Sequence, residues 1–271
     1  MSLEKARAPR ARRKLEKKIV KWLGWSPGAL RLARRCGIDV SHYTTVHPEM
    51  RVERALARLG IDTLLDVGAN EGQYARKLRK RGFRGRILSF EPMAGAYGVL
   101  AAKAARDPLW TALPYALGAE SARRVLHVSG NSVSSSFLPM LASHEAAAPR
   151  SAYVGAEEVE IRRLDDVAGE LIPEGAKAYL KIDVQGFEHE VLAGAQRFLR
   201  RALAVQAEAS VVPLYGGQLL VEELIAYMRA RDFELFTHFP SFIAPETGQE
   251  LQLDLVFVSS EGVERLRAAP G

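Results

Sequence analysis

The 271-residue sequence predicts a doubly wound α/β fold, and three observations carry that prediction. From about residue 48 onward, short apolar runs alternate with stretches of helical periodicity, the pattern of helices laid over a parallel sheet. Residues 64–92, LLDVGANEGQYARKLRKRGFRGRILSFEP, read as strand, glycine-bearing turn, helix and second strand. The chain closes on two further strand patterns, 233–238 and 254–258, joined by a loop containing Pro240, Pro245 and Gly248.

With 48% hydrophobic and 26% charged residues the chain reads as a soluble globular protein. Cys36 is the single cysteine, which excludes an internal disulfide and a cysteine-based zinc site and makes the cytoplasm the expected compartment. No apolar run approaches a membrane span, and the start is too charged for a signal peptide. The net charge of +6 is uneven: residues 1–35 carry twelve Lys/Arg against Glu4 and Glu16, leaving the remainder at −4.

The expected division is a basic arm and amphipathic helix over 1–45 and an enzyme-sized domain over 46–271. Within the arm, Leu15, Ile19, Trp22 and Leu23 recur at helical spacing with lysines opposite. Such a helix over 14–25 can lie on an anionic membrane surface or pack half-buried on the domain. A nucleic-acid role is disfavoured, because the tract lacks interleaved aromatics for base stacking. Pro48 opens a helix to Leu59, closed by Gly60, with Val52, Leu56 and Leu59 inward. After the 64–92 unit come a helix over 94–106, a third strand over 110–117 and an added strand over 123–128. Residues 129–150 form a long Ser/Ala/Pro loop of the kind that serves as a lid. The rest alternates: strand 157–164, a short helix to Leu171 capped by Asp165 or Asp166, strand 178–184, helix 187–199, strand 203–209 and helix 219–231.

In the 64–92 unit, Gly68-Ala69-Asn70-Glu71-Gly72 follows the first strand and Glu91 ends the second. Glycines let a backbone approach a ligand closely, and a carboxylate at that strand end can accept from both ribose hydroxyls. The dinucleotide fingerprint requires glycine where Asn70 stands, and Glu71 would oppose a phosphate. A ligand with adenine and ribose but no phosphate fits better, and S-adenosylmethionine is such a ligand. The second unusual segment is 179–186, YLKIDVQG. Alternation puts Lys181 and Asp183 on one face of the strand. A lysine in an apolar central strand demands a partner or a place at the strand's carboxyl end, which in such sheets faces the ligand crevice. Asp183 is therefore expected to face donor or acceptor, or else to cap the following helix.

The segments DVGANEGQY (66–74), SFEP (89–92), ALG (116–118), SSF (135–137), LDD (164–166) and LKIDVQGFEHEVLAGA (180–195) together resemble the FkbM-type S-adenosylmethionine-dependent methyltransferases. The resemblance spans about 63–258. It implies a Rossmann-like class I methyltransferase fold: a mostly parallel seven-stranded sheet with an antiparallel last strand. It also implies O-methyl transfer to a hydroxyl of a sugar, polysaccharide or natural product. The family's KIDVEG motif has Gln185 in place of its second acid here, and Ser210 stands where relatives carry a histidine two residues after Glu208.

On this reading Asp66, Gly68, Ala69, Asn70, Gly72 and Tyr74 line the methionine end of the donor, and Glu91 with Pro92 holds the ribose. Leu117, Gly118 and Ala119 edge the adenine. Asp183 leads the catalytic candidates, followed by Lys181 (as an orienting group or a base with depressed pKa), Glu208 and His238. A divalent ion on Asp183 and Glu208 is a further option. The other readings are a nucleic-acid methyltransferase using the basic arm and a non-catalytic adenosine-ligand-binding protein.

Overall fold

The computed structural model describes residues 48–268; the basic arm, the 14–25 helix and Cys36 lie outside them. In chain order the main elements begin with helix α1 (Pro48–Leu59), strand β1 (Thr63–Val67), helix α2 (Gln73–Lys80), strand β2 (Arg86–Phe90) and helix α3 (Ala94–Ala104). Strands β3 (Trp110–Leu113), β4 (Ala116–Leu117) and β5 (Ala122–Ser129) follow, then helix α4 (Ala142–Ala147), strand β6 (Tyr153–Arg162) and helix α5 (Leu164–Leu171). The second half comprises β7 (Ala178–Ile182), α6 (Glu188–Ala193), α7 (Gln196–Leu199), β8 (Ala204–Ser210), α8 (Val221–Arg229), β9 (Phe233–Ile243), β10 (Glu250–Ser259) and α9 (Ser260–Ala268).

Seven strands form the main sheet in the order β3-β2-β1-β7-β8-β10-β9, parallel except for β10, which runs antiparallel to both its neighbours. Strands β4, β6 and β5 make a separate small sheet. The sheet carries a hydrophobic layer on each face, as a doubly wound fold requires. Leu64, Tyr179, Ala204 and Val256 pack with Val52, Leu56 and Leu59 of α1 and Ala75 and Leu78 of α2. Leu65, Val67, Leu180, Ile182 and Val205 pack on the other face with Leu164, Val191, Phe198 and Leu224.

The register decides where chemistry can occur. Asp66 pairs with Lys181, which pairs with Gln206, while Asp254 pairs with Glu208 on the next strand pair. Because side chains alternate along a strand, Asp66, Lys181 and Gln206 continue the face of Leu64, Tyr179 and Ala204. One apolar face thus turns polar at the carboxyl ends of the central strands.

Several local expectations are corrected. The third strand, predicted over 110–117, divides at the Pro114-Tyr115 step into β3 of the main sheet and β4 of the small one. The helix predicted over 187–199 breaks into α6 and α7. A Cβ on Gly194 would lie 1.9 Å from the Gly118 carbonyl oxygen, so the chain passes there too closely for any side chain. Asp165 does not cap its own helix. Its carboxylate accepts the Arg197 and Phe198 amides at 2.8–3.0 Å, at the start of α7. Strand β9 runs on through Pro240, which pairs with Leu253 of β10; an edge strand is where a sheet tolerates proline. The 129–150 segment includes α4 and is bridged to its surroundings at His127–Ser136 and Met140–Tyr215.

Candidate active site

A cleft of about 420 Å³ opens at the carboxyl ends of β1, β2, β7 and β8. Its floor on one side is the turn after β1. Asn70 adopts a left-handed φ of 47°, which asparagine tolerates, and its backbone N–H donates to Glu91 Oε2 at 2.8 Å. The Met93 amide donates to Glu91 Oε1 at 2.9 Å. Glu91 is 3% exposed. Burial pushes its carboxyl up to about 7, against the two amides that favour the ionised form. The remaining lone pairs are free to accept from a ligand.

The glycines act differently from the expectation. A Cβ on Gly68 would sit 1.9 Å from the Asp183 carbonyl oxygen, so this glycine lets the β1 turn cross the end of β7. Gly72 is closed off by Trp110 and Leu100, and Gly118 by Ile161 and Phe187. Gly72 and Gly118 therefore shape the walls from behind rather than line the cleft. Gly68, Ala69, Asn70, Tyr74, Pro92 and Leu117 do line it, whereas Asp66, expected beside them, is fully buried beneath the cleft and does not.

The opposite wall carries the charges. Lys181 Nζ lies 3.2 Å from Asp183 Oδ2 and 3.6 Å from Asp66 Oδ1, and 5.4 Å from the centre of the Tyr74 ring. Burial alone would lower the lysine's pKa, but Asp183, Asp66 and Asp254 together raise it. Lys181 is thus a retained cation, which corrects the expectation of a base with depressed pKa. Asp66 is fully buried with no hydrogen-bond partner on either oxygen among the described residues. Burial raises its pKa and the Lys181 charge opposes the rise. Replacing Lys181 by methionine should leave Asp66 as an uncompensated buried acid and cost about 3 kcal/mol, the low end for breaking a buried pair because Asp66 can take up a proton. Urea unfolding of Lys181→Met and of Asp66→Asn/Lys181→Met tests this. The double variant should recover part of the loss, and equal midpoints for the two variants would contradict the pairing.

Asp183 does not cap the following helix. Phe187 stands at the N-cap with no side-chain cap, and Glu188, the first helical residue, reaches back to accept the Val184 and Gly186 amides of the preceding turn at 3.0 and 3.3 Å. The Asp183 side chain keeps 37% exposure and faces the cleft. Glu208 is buried behind it and held by Gln185 Nε2 and Gln252 Nε2, both at 2.7 Å, and Ser241 Oγ at 2.5 Å. Burial and the Asp183 and Asp254 charges raise its pKa. It supports the wall without lining it. His238 is a further correction: on the edge strand its neighbour Phe239 turns into the cleft, so alternation sends His238 outward, where it is exposed. Among the described residues no group of three or more His, Cys, Asp or Glu is arranged to hold a metal.

Two wall residues escaped sequence reasoning. Gln206 Nε2 donates to Asp254 Oδ1 at 2.7 Å, and Gln206 Oε1 accepts from the Tyr179 hydroxyl at 2.5 Å. The Tyr74 hydroxyl is 2.9 Å from that of Tyr179. The signal that marked Lys181, a polar residue inside an apolar strand, applies equally to Gln206 in AVQAEAS and Asp254 in ELQLDLVFVS. Over the mouth, Ser132, Val133, Ser135 and Phe137 bring the serine-rich segment into the wall, tied down by Asn70 Nδ2 donating to the Ser132 carbonyl at 3.2 Å.

Glu91 and Glu188 are held at about 7 and Asp254 at about 6, in each case chiefly by burial. Folded-state values above the unfolded ones mean that the folded protein keeps protons the unfolded chain has lost. The stability they contribute is complete below about pH 4 and is lost as pH rises through about 6–7. The melting temperature of the ligand-free protein should therefore fall between about pH 5 and pH 8, and Glu188→Gln should flatten that slope. An unchanged slope in the variant would remove Glu188 from the account.

A parallel sheet with one antiparallel strand, an acid at the end of β2 and a charged pair at the end of β7 give the Rossmann-like fold of the class I methyltransferases. The model of the methyltransferase FkbM domain matches residues 66–235, and the chain belongs to that family, whose members use S-adenosylmethionine. The chain is 26% identical over 183 residues to the 2-O-methyltransferase NoeI of Sinorhizobium fredii (strain NBRC 101917 / NGR234), covering 65% of this chain and 74% of that protein. Among solved structures it is similar to the methyltransferase FkbM from Methylobacillus flagellatus KT, with a TM-score of 0.46 and 16% identity. That match covers 73% of this chain and 43% of the other. An rRNA methylase from Streptococcus thermophilus gives a TM-score of 0.43 at 8% identity, over 79% of this chain and 98% of its own. Among the described residues no helix is long and apolar enough to cross a membrane.

Proposed function

We propose that this protein transfers a methyl group from S-adenosylmethionine to a hydroxyl oxygen of a sugar, polysaccharide or natural product. The observation that carries the reading is the pairing, in one cleft, of a buried Glu91 with free acceptor capacity and a cation-held Asp183 on the opposite wall. The residues fit the donor. Asp66 takes no direct part: it is fully buried beneath the cleft and faces Lys181 Nζ at 3.6 Å. The Gly68–Asn70 backbone and Tyr74 would line the donor's amino-acid end, Glu91 would accept from the ribose hydroxyls, and Pro92, Leu117, Leu126 and Phe137 offer the apolar walls an adenine needs. When bound, the donor supplies an electrophilic methyl group.

The chain's own residues then have two tasks, alignment and proton removal. Asp183 is the group on the cleft wall to accept the hydroxyl proton. Lys181, staying charged, orients Asp183 and limits the repulsion between it and Asp66. Support for oxygen as the acceptor atom comes from NoeI, named as a 2-O-methyltransferase. The test is calorimetric titration with S-adenosylmethionine and its demethylated product, followed by labelled-methyl transfer to a panel of hydroxylated glycans and natural products. A folded protein that binds neither ligand would overturn the reading, and label appearing on a nucleic-acid nitrogen would overturn the choice of oxygen.

A further inference from the structure

The side chain of Gln185 makes more defined contacts than any sequence pattern assigns to it. Its Nε2 donates to Asp183 Oδ1 at 2.9 Å and to Glu208 Oε2 at 2.7 Å. Its Oε1 accepts the Tyr215 hydroxyl at 2.9 Å, and its carbonyl oxygen accepts Ser136 Oγ at 2.6 Å. The backbone stands at φ 56°, a left-handed conformation that a non-glycine residue keeps only where its surroundings hold it. Two carboxylates, one on the cleft wall and one buried, therefore converge on a single amide nitrogen. Each takes one of its two protons.

Two acids meeting at one point ordinarily need a cation or a shared proton between them. Here an uncharged donor fills that place. We propose that Gln185 is a positioning residue: its amide does between Asp183 and Glu208 what a divalent cation would otherwise do, fixing the carboxylate that faces the acceptor and leaving no room for a metal. The role of Asp183 in this statement rests on the methyl-transfer reading above; the bridging itself does not. Gln252 and Ser241 anchor Glu208, so it can hold the far side of the amide in place. Tyr215 fixes which way the amide faces, because its hydroxyl can only donate to Gln185 if the oxygen points toward it and the nitrogen toward the acids.

The test compares wild type with Gln185→Glu, which keeps the shape but replaces the donor by a third carboxylate, and with Gln185→Met, which removes the donor without adding charge. Calorimetry with S-adenosylmethionine should give the same affinity for all three. In methyl transfer, both variants should lose at least about tenfold in kcat with acceptor KM little changed, the mark of a misaligned group rather than a lost binding contact. Millimolar magnesium or calcium chloride should raise the melting temperature of Gln185→Glu by about 2–4 °C and leave wild type and Gln185→Met unmoved. The proposal is overturned if the wild-type melting temperature responds equally to the cation, or if Gln185→Glu turns over like wild type without it. Should wild type bind no donor, the function proposed above fails, while the cation-dependent melting still decides whether the amide replaces a metal.

Discussion

Replacing Glu91 by alanine is expected to weaken binding of S-adenosylmethionine by about 10²–10⁴-fold, the worth of two hydrogen bonds to a charged acceptor at about 1.5–3 kcal/mol each. The carboxylate is buried and already fixed by the Asn70 and Met93 amides, so it needs no reorganisation to receive a ribose. The same fixing makes the variant informative. Those two amides lose their acceptor, so the turn after β1 should loosen as well, and Glu91→Gln, which keeps one oxygen acceptor, should fall between wild type and Glu91→Ala. Because burial holds the Glu91 carboxyl at about 7, donor affinity in the wild type should strengthen as pH rises through that value. Calorimetry at several pH values reads both effects. A Glu91→Ala affinity within threefold of wild type would place the ribose elsewhere.

The second large effect is expected at Asp183. Asp183→Ala should lower kcat by about 10²–10⁴-fold, the usual contribution of a positioned base, while donor affinity stays within a few-fold of wild type. The separation of the two readouts matters here, since Lys181 loses its nearest partner in this variant and will draw toward Asp66. Lys181 has Asp66 and Asp254 charges besides Asp183 to keep it ionised, so the lysine remains a cation and cannot take over as a base. Single-turnover kinetics with donor pre-bound would isolate the chemical step. Unchanged single-turnover rates would remove Asp183 from proton transfer and leave it as a partner of Lys181 and Gln185.

The cleft's location was legible because its key residues break the apolar pattern of their own elements. Glu91 ends an apolar strand, and Lys181 and Asp183 punctuate AYLKI and the turn beyond it. Gln206 and Asp254 break their strands in the same manner, yet they gained meaning only once β8 and β10 were seen side by side, with Asp254 in register with Glu208. His238 failed as a candidate for a related reason. A strand end names a pole of the sheet, whereas the choice between faces depends on one residue of register, and β9 is an edge strand with shifts in its pairing. Glu208 failed differently: its three donors come from Gln185, Ser241 and Gln252, which no local pattern links to it.

By itself the sequence determined the alternation of strands and helices, the turn after β1, the acid at the end of β2 and the family to which they belong, because these are properties of contiguous residues with a fixed period. The tertiary structure alone decided what the glycines are for, since Gly68 and Gly194 answer to backbone approaches from Asp183 and Gly118. It also decided that Lys181 keeps its proton and that an amide from Gln185 joins two acids. Each of those outcomes depends on distances between groups far apart in the chain, and electrostatic and packing energies at such contacts change within an ångström while sequence spacing does not.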